Sequence, residues 1–141
     1  MTGVQTCALP ISEIRRRSSG SKLPRVAILA FGSMLKPALE AAEEIDATVI
    51  NMRFVKPMDE DLIREMANTH DLIVTIEENV IAGGAGSGVA EILQQSGLTL
   101  PMIQMGLPDR FIDHGDPAAL LVTVGLSKEG IVAAVRAKAA A

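Results

Sequence analysis

The sequence predicts an α/β domain of three layers (α/β/α), in which helices cover both faces of a mostly parallel sheet. Four short apolar runs indicate strands, and the segments between them show the 3.6-residue apolar period of helices. Strand and helix signals alternate, which calls for crossover connections and hence parallel strands. The strand-like runs are apolar throughout, as expected for a sheet buried on both faces.

The first predicted helix lies between two strands. Residues 26–31 and 48–52 are the apolar runs that flank it. Gly32-Ser33 turns the chain after the first strand, and Ser33 is the predicted N-cap of the helix. The apolar stripe of this helix consists of Leu35, Leu39, Ala42 and Ile45.

The second half of the chain repeats the alternation. Pro57 breaks the chain, and Asp59 is predicted to cap a helix with Leu62, Ile63 and Met66 on its apolar face. The remaining predicted elements are a strand over 72–76, a helix from Val89 that ends at Gly97, a strand over 101–105, and helices over 118–124 and 128–140.

Composition narrows the class of protein. The chain has 141 residues, 48% of them hydrophobic, with three Phe and no Trp or Tyr, so one aliphatic core is expected. The single cysteine, Cys7, excludes an internal disulfide and fits a reducing compartment. No uninterrupted apolar run approaches the roughly 18 residues of a membrane span, which predicts a soluble, cytoplasmic protein. A net charge of −4 and the lack of an aromatic platform argue against nucleic-acid binding.

Residues 1–22 differ from the rest. They carry four basic side chains and one acidic one, whereas residues 23–141 carry nine basic and sixteen acidic ones. Residues 1–22 show no helical or strand period, and Ser18-Ser19-Gly20-Ser21 is typical of a linker. Residues 3–12 resemble translated sequencing-adaptor DNA. We therefore expect residues 1–22 to be a disordered or artefactual segment without regular contacts, and residues 23–141 to be the domain.

The most informative segment is Glu77-Glu78-Asn79 followed by four glycines within residues 83–88. Two adjacent carboxylates at the end of a buried strand need donors, water or a partner. The glycines permit a tight turn and close approach of the backbone. One hypothesis is a phosphate cradle at the helix N-terminus, although neither a Gly-x-Gly-x-x-Gly nor a P-loop pattern is present. The favoured interpretation is that one of the glutamates caps backbone N–H groups and orders the turn.

Loops after the four strands are expected at one edge of the sheet, where α/β proteins place their function. Phe54 and Phe111 add apolar surface there, which favours an interface. Arg53, Lys56 and Arg110 suggest an anion site as an alternative. His70 and His114 are interpreted as structural, His70 as a cation at a helix C-terminus. The candidate interface or anion-contact residues are Arg53, Lys56, Glu77, Glu78, Asn79, Gly83, Gly84, Gly86, Asp109, Arg110 and His114.

Three segments carry a family resemblance. They are residues 51–59 (Asn-Met-Arg-Phe-Val-Lys-Pro-Met-Asp), residues 77–87, and residues 106–115 (Gly-Leu-Pro-Asp-Arg-Phe-Ile-Asp-His-Gly). In this order and spacing they resemble the C-terminal domain of the 1-deoxy-D-xylulose-5-phosphate synthases, a family of transketolase-like thiamine diphosphate enzymes. The resemblance covers about residues 22–141.

The resemblance implies a transferase that condenses pyruvate with glyceraldehyde 3-phosphate, using thiamine diphosphate and Mg²⁺ as a homodimer. It also implies that cofactor, metal and catalytic residues lie in preceding domains, so that this chain contributes none of them and serves interdomain packing and dimer assembly. Two alternatives remain open. One is a free-standing α/β module that binds a small anion at the loop edge. The other is the same domain from a transketolase or a pyruvate dehydrogenase β-subunit.

Overall fold

All four predicted parallel strands are present in the computed structural model, which describes residues 11–141. They are β2 (Val26–Ala30), β3 (Thr48–Asn51), β4 (Leu72–Val80) and β5 (Met102–Leu107). A short additional strand, β1 (Glu13–Arg16), pairs antiparallel with β3, so that the sheet order is β1-β3-β2-β4-β5. The predicted α/β fold with a mostly parallel sheet is confirmed.

The helices form one layer on each face of the sheet. They are α1 (Leu35–Ile45), preceded by a 3₁₀ turn at Gly32–Met34, α2 (Glu60–Thr69), α3 (Ala85–Gln95), α4 (Pro117–Thr123) and α5 (Lys128–Ala140). Helices α1 and α5 share a hydrophobic cluster with one face, and α2 and α3 share a cluster with the other. All five residues of β2 are buried, because β2 lies in the middle of the sheet between both layers.

Of the two predicted helix N-caps, Asp59 is confirmed and Ser33 is wrong. Asp59 caps α2 as expected, since its carboxylate accepts the Leu62 N–H at 3.2 Å. Ser33 does not cap a helix: α1 starts two residues later, and the Ser33 hydroxyl donates to Glu78 Oε2 at 2.6 Å. Gly97 follows α3 with φ +69°, the left-handed geometry that ends a helix.

The expectation that residues 1–22 make no regular contact is wrong for residues 11–22. Strand β1 lies within that range and pairs with β3. Arg16 donates to Asp46 Oδ1 at 3.1 Å, and Ser19 donates to the same carboxylate through both its backbone N–H and its hydroxyl. Ser12 bonds Asp59 at 2.6 Å. The adaptor-like part of the prediction falls mainly on residues 1–10, which lie outside the described residues.

A chain that starts at Lys22 should therefore be less stable than one that starts at Ile11. Its loss of β1 would expose the edge of β3 and leave the Asp46 carboxylate without Arg16 and Ser19. We expect a drop of several degrees in the melting temperature, measured by circular dichroism. Equal melting temperatures would show that β1 adds no stability to the domain.

One segment passes the length and composition test for a membrane span. Residues Pro117–Ala140 have a mean hydropathy of 1.7 in their most apolar window. In the structure a turn at Gly125 divides the segment into α4 and α5, and Ile131, Val132 and Val135 of α5 are buried in the core. The apolar character of α5 is therefore used in packing against the sheet.

Candidate functional site at the carboxyl edge of the sheet

Glu77 organises the turn after β4. Its side chain is only 5% exposed, and its two carboxylate oxygens accept the backbone N–H groups of Ala85 (2.8 Å) and Gly86 (2.9 Å). These N–H groups belong to the first turn of α3, where they have no intrahelical partner. The negative charge also faces the positive end of the helix dipole. The hypothesis that one of the two glutamates orders the glycine turn is confirmed, and Glu77 is that residue.

Two glycines of this turn are required by contacts inside the domain. A Cβ on Gly84 would lie 2.5 Å from the Val80 carbonyl oxygen and 2.6 Å from Glu77 Oε1. A Cβ on Gly86 would lie 2.5 Å from the Thr75 hydroxyl. Gly83 differs, because its φ of +74° demands glycine although space is open around it. Internal packing thus accounts for these glycines, and their role in an interface stays a prediction.

A buried polar layer lies beneath the turn. Thr75 of β4 faces Gln104 of the neighbouring β5, and both approach Gly86 of α3. Thr75 is fully buried, and its hydroxyl has no hydrogen-bond partner within the described residues. The sequence offered no signal for this layer, because Thr75 and Gln104 interrupt otherwise apolar runs singly and 29 positions apart.

Strand β4 extends farther than the apolar run predicts. The prediction ended it at Ile76, whereas the strand continues to Val80, with a register irregularity against β5 in between. Glu78 and Asn79 consequently lie on the exposed end of a strand instead of in a loop. Glu78 reaches across to Ser33, which connects the ends of β4 and β2 at the point where the strand order reverses.

The other candidate residues lie on exposed loops after β3 and β5. Arg53 has φ +64° and lies 5.5 Å from the centre of the Phe54 ring, a cation–π arrangement. Phe54, Val55 and Phe111 are 44%, 55% and 103% exposed. The candidate residues Arg53, Lys56, Asp109, Arg110 and His114 are all exposed on these loops. Their use in an interface or an anion site stays a prediction.

The glycine turn does not fit a phosphate or a diphosphate. The two N–H groups at the start of α3 that would bind an anion are already bonded to the Glu77 carboxylate. A phosphate placed there would meet that buried negative charge instead of a free donor. Residues 11–141 also contain no group of three or more His, Cys, Asp or Glu side chains placed to hold a metal ion. Thiamine diphosphate with Mg²⁺ therefore has no matching donor set at this turn.

His70 follows the last residue of α2 and lies next to Thr48, at the start of β3. Its Nδ1 lies 3.1 Å from the Met66 carbonyl oxygen, and its Nε2 lies 2.9 Å from the Thr48 hydroxyl. Burial lowers the pKa of His70 from 6.5, in excess of the opposing effect of its bond to Met66. The structural role expected of His70 agrees with these two hydrogen bonds, whereas the lowered pKa disfavours a cation at the end of α2.

His70 should make stability depend on pH. Because its folded-state pKa lies below 6.5, the unfolded chain takes up the proton first as the pH falls. The contribution is fully present above pH 6.5 and is lost as the pH falls through the folded-state pKa. We expect His70→Gln to flatten this part of the slope in urea midpoints taken between about pH 5 and pH 8. His114→Gln, on an exposed loop, is the control, and equal slopes in the two variants would contradict the assignment.

Comparison with known proteins decides the family. The transketolase C-terminal domain family matches residues 17–131, most of the chain. This chain belongs to that family. The matched region begins directly after β1 and includes the four parallel strands, the glycine turn and the loops after β3 and β5. The family assignment that the three sequence segments suggested is confirmed.

Individual relatives of this transketolase C-terminal domain include two bacterial synthases. A 1-deoxy-D-xylulose-5-phosphate synthase from Paraburkholderia xenovorans is 57% identical over 141 residues, which cover 96% of this chain and 22% of that protein. The enzyme of the same name from Burkholderia ambifaria is 59% identical over 124 residues, covering 88% of this chain and 20% of that protein. The chain thus spans about a fifth of the length of these relatives.

A solved structure supports the same fold. A split-gene transketolase, described as an inactive β4 tetramer, superposes with a TM-score of 0.76 and 36% identity. The match covers 91% of this chain and 40% of that one. Identity to the synthases is therefore higher than to this transketolase, as the segments around Arg53 and Arg110 predict.

Proposed function

We propose that this chain is the C-terminal domain of a 1-deoxy-D-xylulose-5-phosphate synthase. The observation that carries the proposal is the 57% identity to the Paraburkholderia xenovorans enzyme over 96% of the chain. The complete protein would condense pyruvate with glyceraldehyde 3-phosphate, releasing carbon dioxide and forming 1-deoxy-D-xylulose 5-phosphate. This product feeds the non-mevalonate isoprenoid pathway and thiamine biosynthesis. We place the enzyme in the cytoplasm.

In this proposal the domain is architectural. Preceding domains would hold thiamine diphosphate and Mg²⁺, and the complete enzyme would be a homodimer. The use of Glu77 supports this division, because its carboxylate is buried and both of its oxygens accept N–H groups of α3. A group so occupied is poorly placed for proton transfer to a substrate. The exposed Phe54 and Val55 on the same edge offer apolar surface to a preceding domain.

A domain graft tests the proposal directly. The C-terminal domain of the Paraburkholderia xenovorans synthase is replaced by residues 11–141 of this chain, and product formation is measured. We expect activity within about tenfold of the parent, because interface complementarity is shared among close relatives. The matched control carries the C-terminal domain of the split-gene transketolase, which is 36% identical to this chain and should support much less activity. A folded but inactive graft of this chain would contradict the proposal.

The isolated chain should bind no thiamine diphosphate. The N–H groups at the start of α3 are taken by Glu77, and residues 11–141 have no metal-type cluster of side chains. Calorimetric titration with the cofactor and Mg²⁺ should show no heat of binding. Saturable binding in the micromolar range would contradict the assignment of the cofactor to the preceding domains.

A further inference from the structure

We propose that Ser19 is a phosphorylation site for a protein kinase that recognises arginine residues before the serine, and that the phosphate releases strand β1 from the domain. The site lies at the β1 edge of the sheet, and it does not rest on the proposed function. Ser19 and Arg16 both bind the carboxylate of Asp46, and these three residues are called the Asp46 clamp below.

The sequence before Ser19 is basic. Residues 15–17 are all arginine, so that Ser19 has an arginine two positions and another three positions before it. Kinases that select their substrates by charge recognise such a pattern through acidic pockets. Ser19 is exposed, and residues 17–25 form no helix or strand. The hydroxyl group thus lies on the surface, in a loop that follows a basic segment.

The Asp46 clamp holds strand β1 against the domain. The Ser19 hydroxyl donates to Asp46 Oδ2 at 2.5 Å, and the Ser19 backbone N–H lies 3.1 Å from each oxygen of the same carboxylate. Arg16 donates to Asp46 Oδ1 at 3.1 Å and to the Ala47 carbonyl oxygen at 2.6 Å. One carboxylate therefore binds both the last residue of β1 and the loop that follows it.

Phosphorylation would turn the attraction between Ser19 and Asp46 into repulsion. The Ser19 oxygen attacks the γ-phosphorus of a nucleoside triphosphate, the bond to the β-phosphate breaks, and the hydroxyl proton passes to the catalytic aspartate of the kinase. The ester oxygen has no proton to donate, and the phosphate carries a charge of about −1.5 to −2 at neutral pH. Asp46 faces it with a full negative charge, because the bonds from Ser19, first from its hydroxyl and then from its N–H, lower the pKa of Asp46.

Asp46 is the less mobile partner of this pair. Its side chain is only 11% exposed, and its backbone N–H donates to the Ala42 carbonyl oxygen at the end of α1. Its φ of 54° is left-handed geometry that the end of the helix imposes. Ser19 lies in an exposed loop next to Gly20. The repulsion is therefore relieved by movement of Ser19, which also takes its N–H away from Asp46.

Strand β1 is an element that opens easily. It has four residues, none of them buried, and its pairing with β3 is irregular between Ile14 and Arg16. Elements with few buried apolar contacts open locally at a small cost in free energy. A kinase can bind the arginines and Ser19 in the open state, and the phosphate then prevents the Asp46 clamp from forming again. The outer edge of β3, which β1 covers, would stay exposed.

Incubation of the 141-residue chain with ATP and a purified kinase selective for Arg-Arg-x-Ser tests the site. We expect phosphate on Ser19, located by mass spectrometry of proteolytic peptides, and the loss of nearly all of it in Ser19→Ala. Ser18→Ala is the matched control, because it removes the neighbouring hydroxyl and leaves Ser19 and the arginines in place. No incorporation in the wild type, or incorporation at Ser18 instead of Ser19, would overturn the proposal.

The melting temperature tests the release of β1. We expect the phosphorylated chain to melt several degrees below the unmodified chain, measured by circular dichroism. Asp46→Asn removes the opposing charge, and asparagine still tolerates left-handed backbone geometry. This variant should be phosphorylated faster, since its clamp is weaker, and the phosphate should shift its melting temperature much less. Equal shifts in the two backgrounds, or an unchanged or raised melting temperature of the phosphorylated wild type, would overturn the proposal.

Discussion

Replacing Glu77 with glutamine should lower the free energy of unfolding by about 3 kcal/mol. The amide oxygen of glutamine accepts one N–H group, but its NH₂ group faces the other donor. One of the N–H groups of Ala85 and Gly86, both buried residues, then loses its partner. The charge that faces the helix dipole is lost as well. Urea denaturation of the wild type and the variant measures the difference.

Glu78→Gln is the matched control for this prediction. Glu78 is the next residue along β4, but its side chain is exposed and its one bond, to Ser33, is at the surface. Its replacement should change stability by no more than about 0.5 kcal/mol. If the two variants are equally destabilised, or if Glu77→Gln is neutral, the carboxylate of Glu77 does not hold the start of α3.

Gly86→Ala should destabilise the domain by about 1–3 kcal/mol, although alanine is the better helix former. In an open helix the substitution would gain up to about 1 kcal/mol. Here the added Cβ would lie 2.5 Å from the Thr75 hydroxyl and 3.2 Å from Gln104 Oε1. The overlap outweighs the gain because Thr75 lies on a fully buried strand position and has no room to move.

Two further variants separate the overlap from helix propensity. Thr75→Ala removes the hydroxyl that the Cβ meets. The double variant Thr75→Ala/Gly86→Ala should therefore lose less stability than the sum of the losses in the two single variants. Gly88→Ala lies in the same helix, but its Cβ meets only the end of the flexible Met58 side chain, at 3.2 Å. It should be neutral or slightly stabilising. A Gly86→Ala variant as stable as Gly88→Ala would contradict the close approach of α3 to Thr75.

Local chemistry in the sequence was sufficient for much of the fold. Continuous apolar runs indicated buried parallel strands, and the pattern at Asp59 and Gly97 indicated where α2 begins and α3 ends. The same reasoning required a donor for one of two adjacent carboxylates. It did not distinguish Glu77 from Glu78, because alternate residues of a strand face opposite sides and the exact end of β4 was unknown.

Other features were decided only by the tertiary structure. Strand β1 has no apolar alternation of its own; Arg16 and Ser19 hold it through Asp46, about 30 positions away, which has left-handed backbone geometry. The need for glycine at position 86 depends on Thr75 and Gln104, which meet α3 only when two strands and a helix are packed together. A periodic sequence pattern reflects the environment of one segment, so the strands and the loop edge followed from it, whereas the family was indicated by the resemblance of three segments. Contacts between single polar side chains of distant segments leave no periodic pattern in the sequence. They are therefore visible only in the tertiary structure.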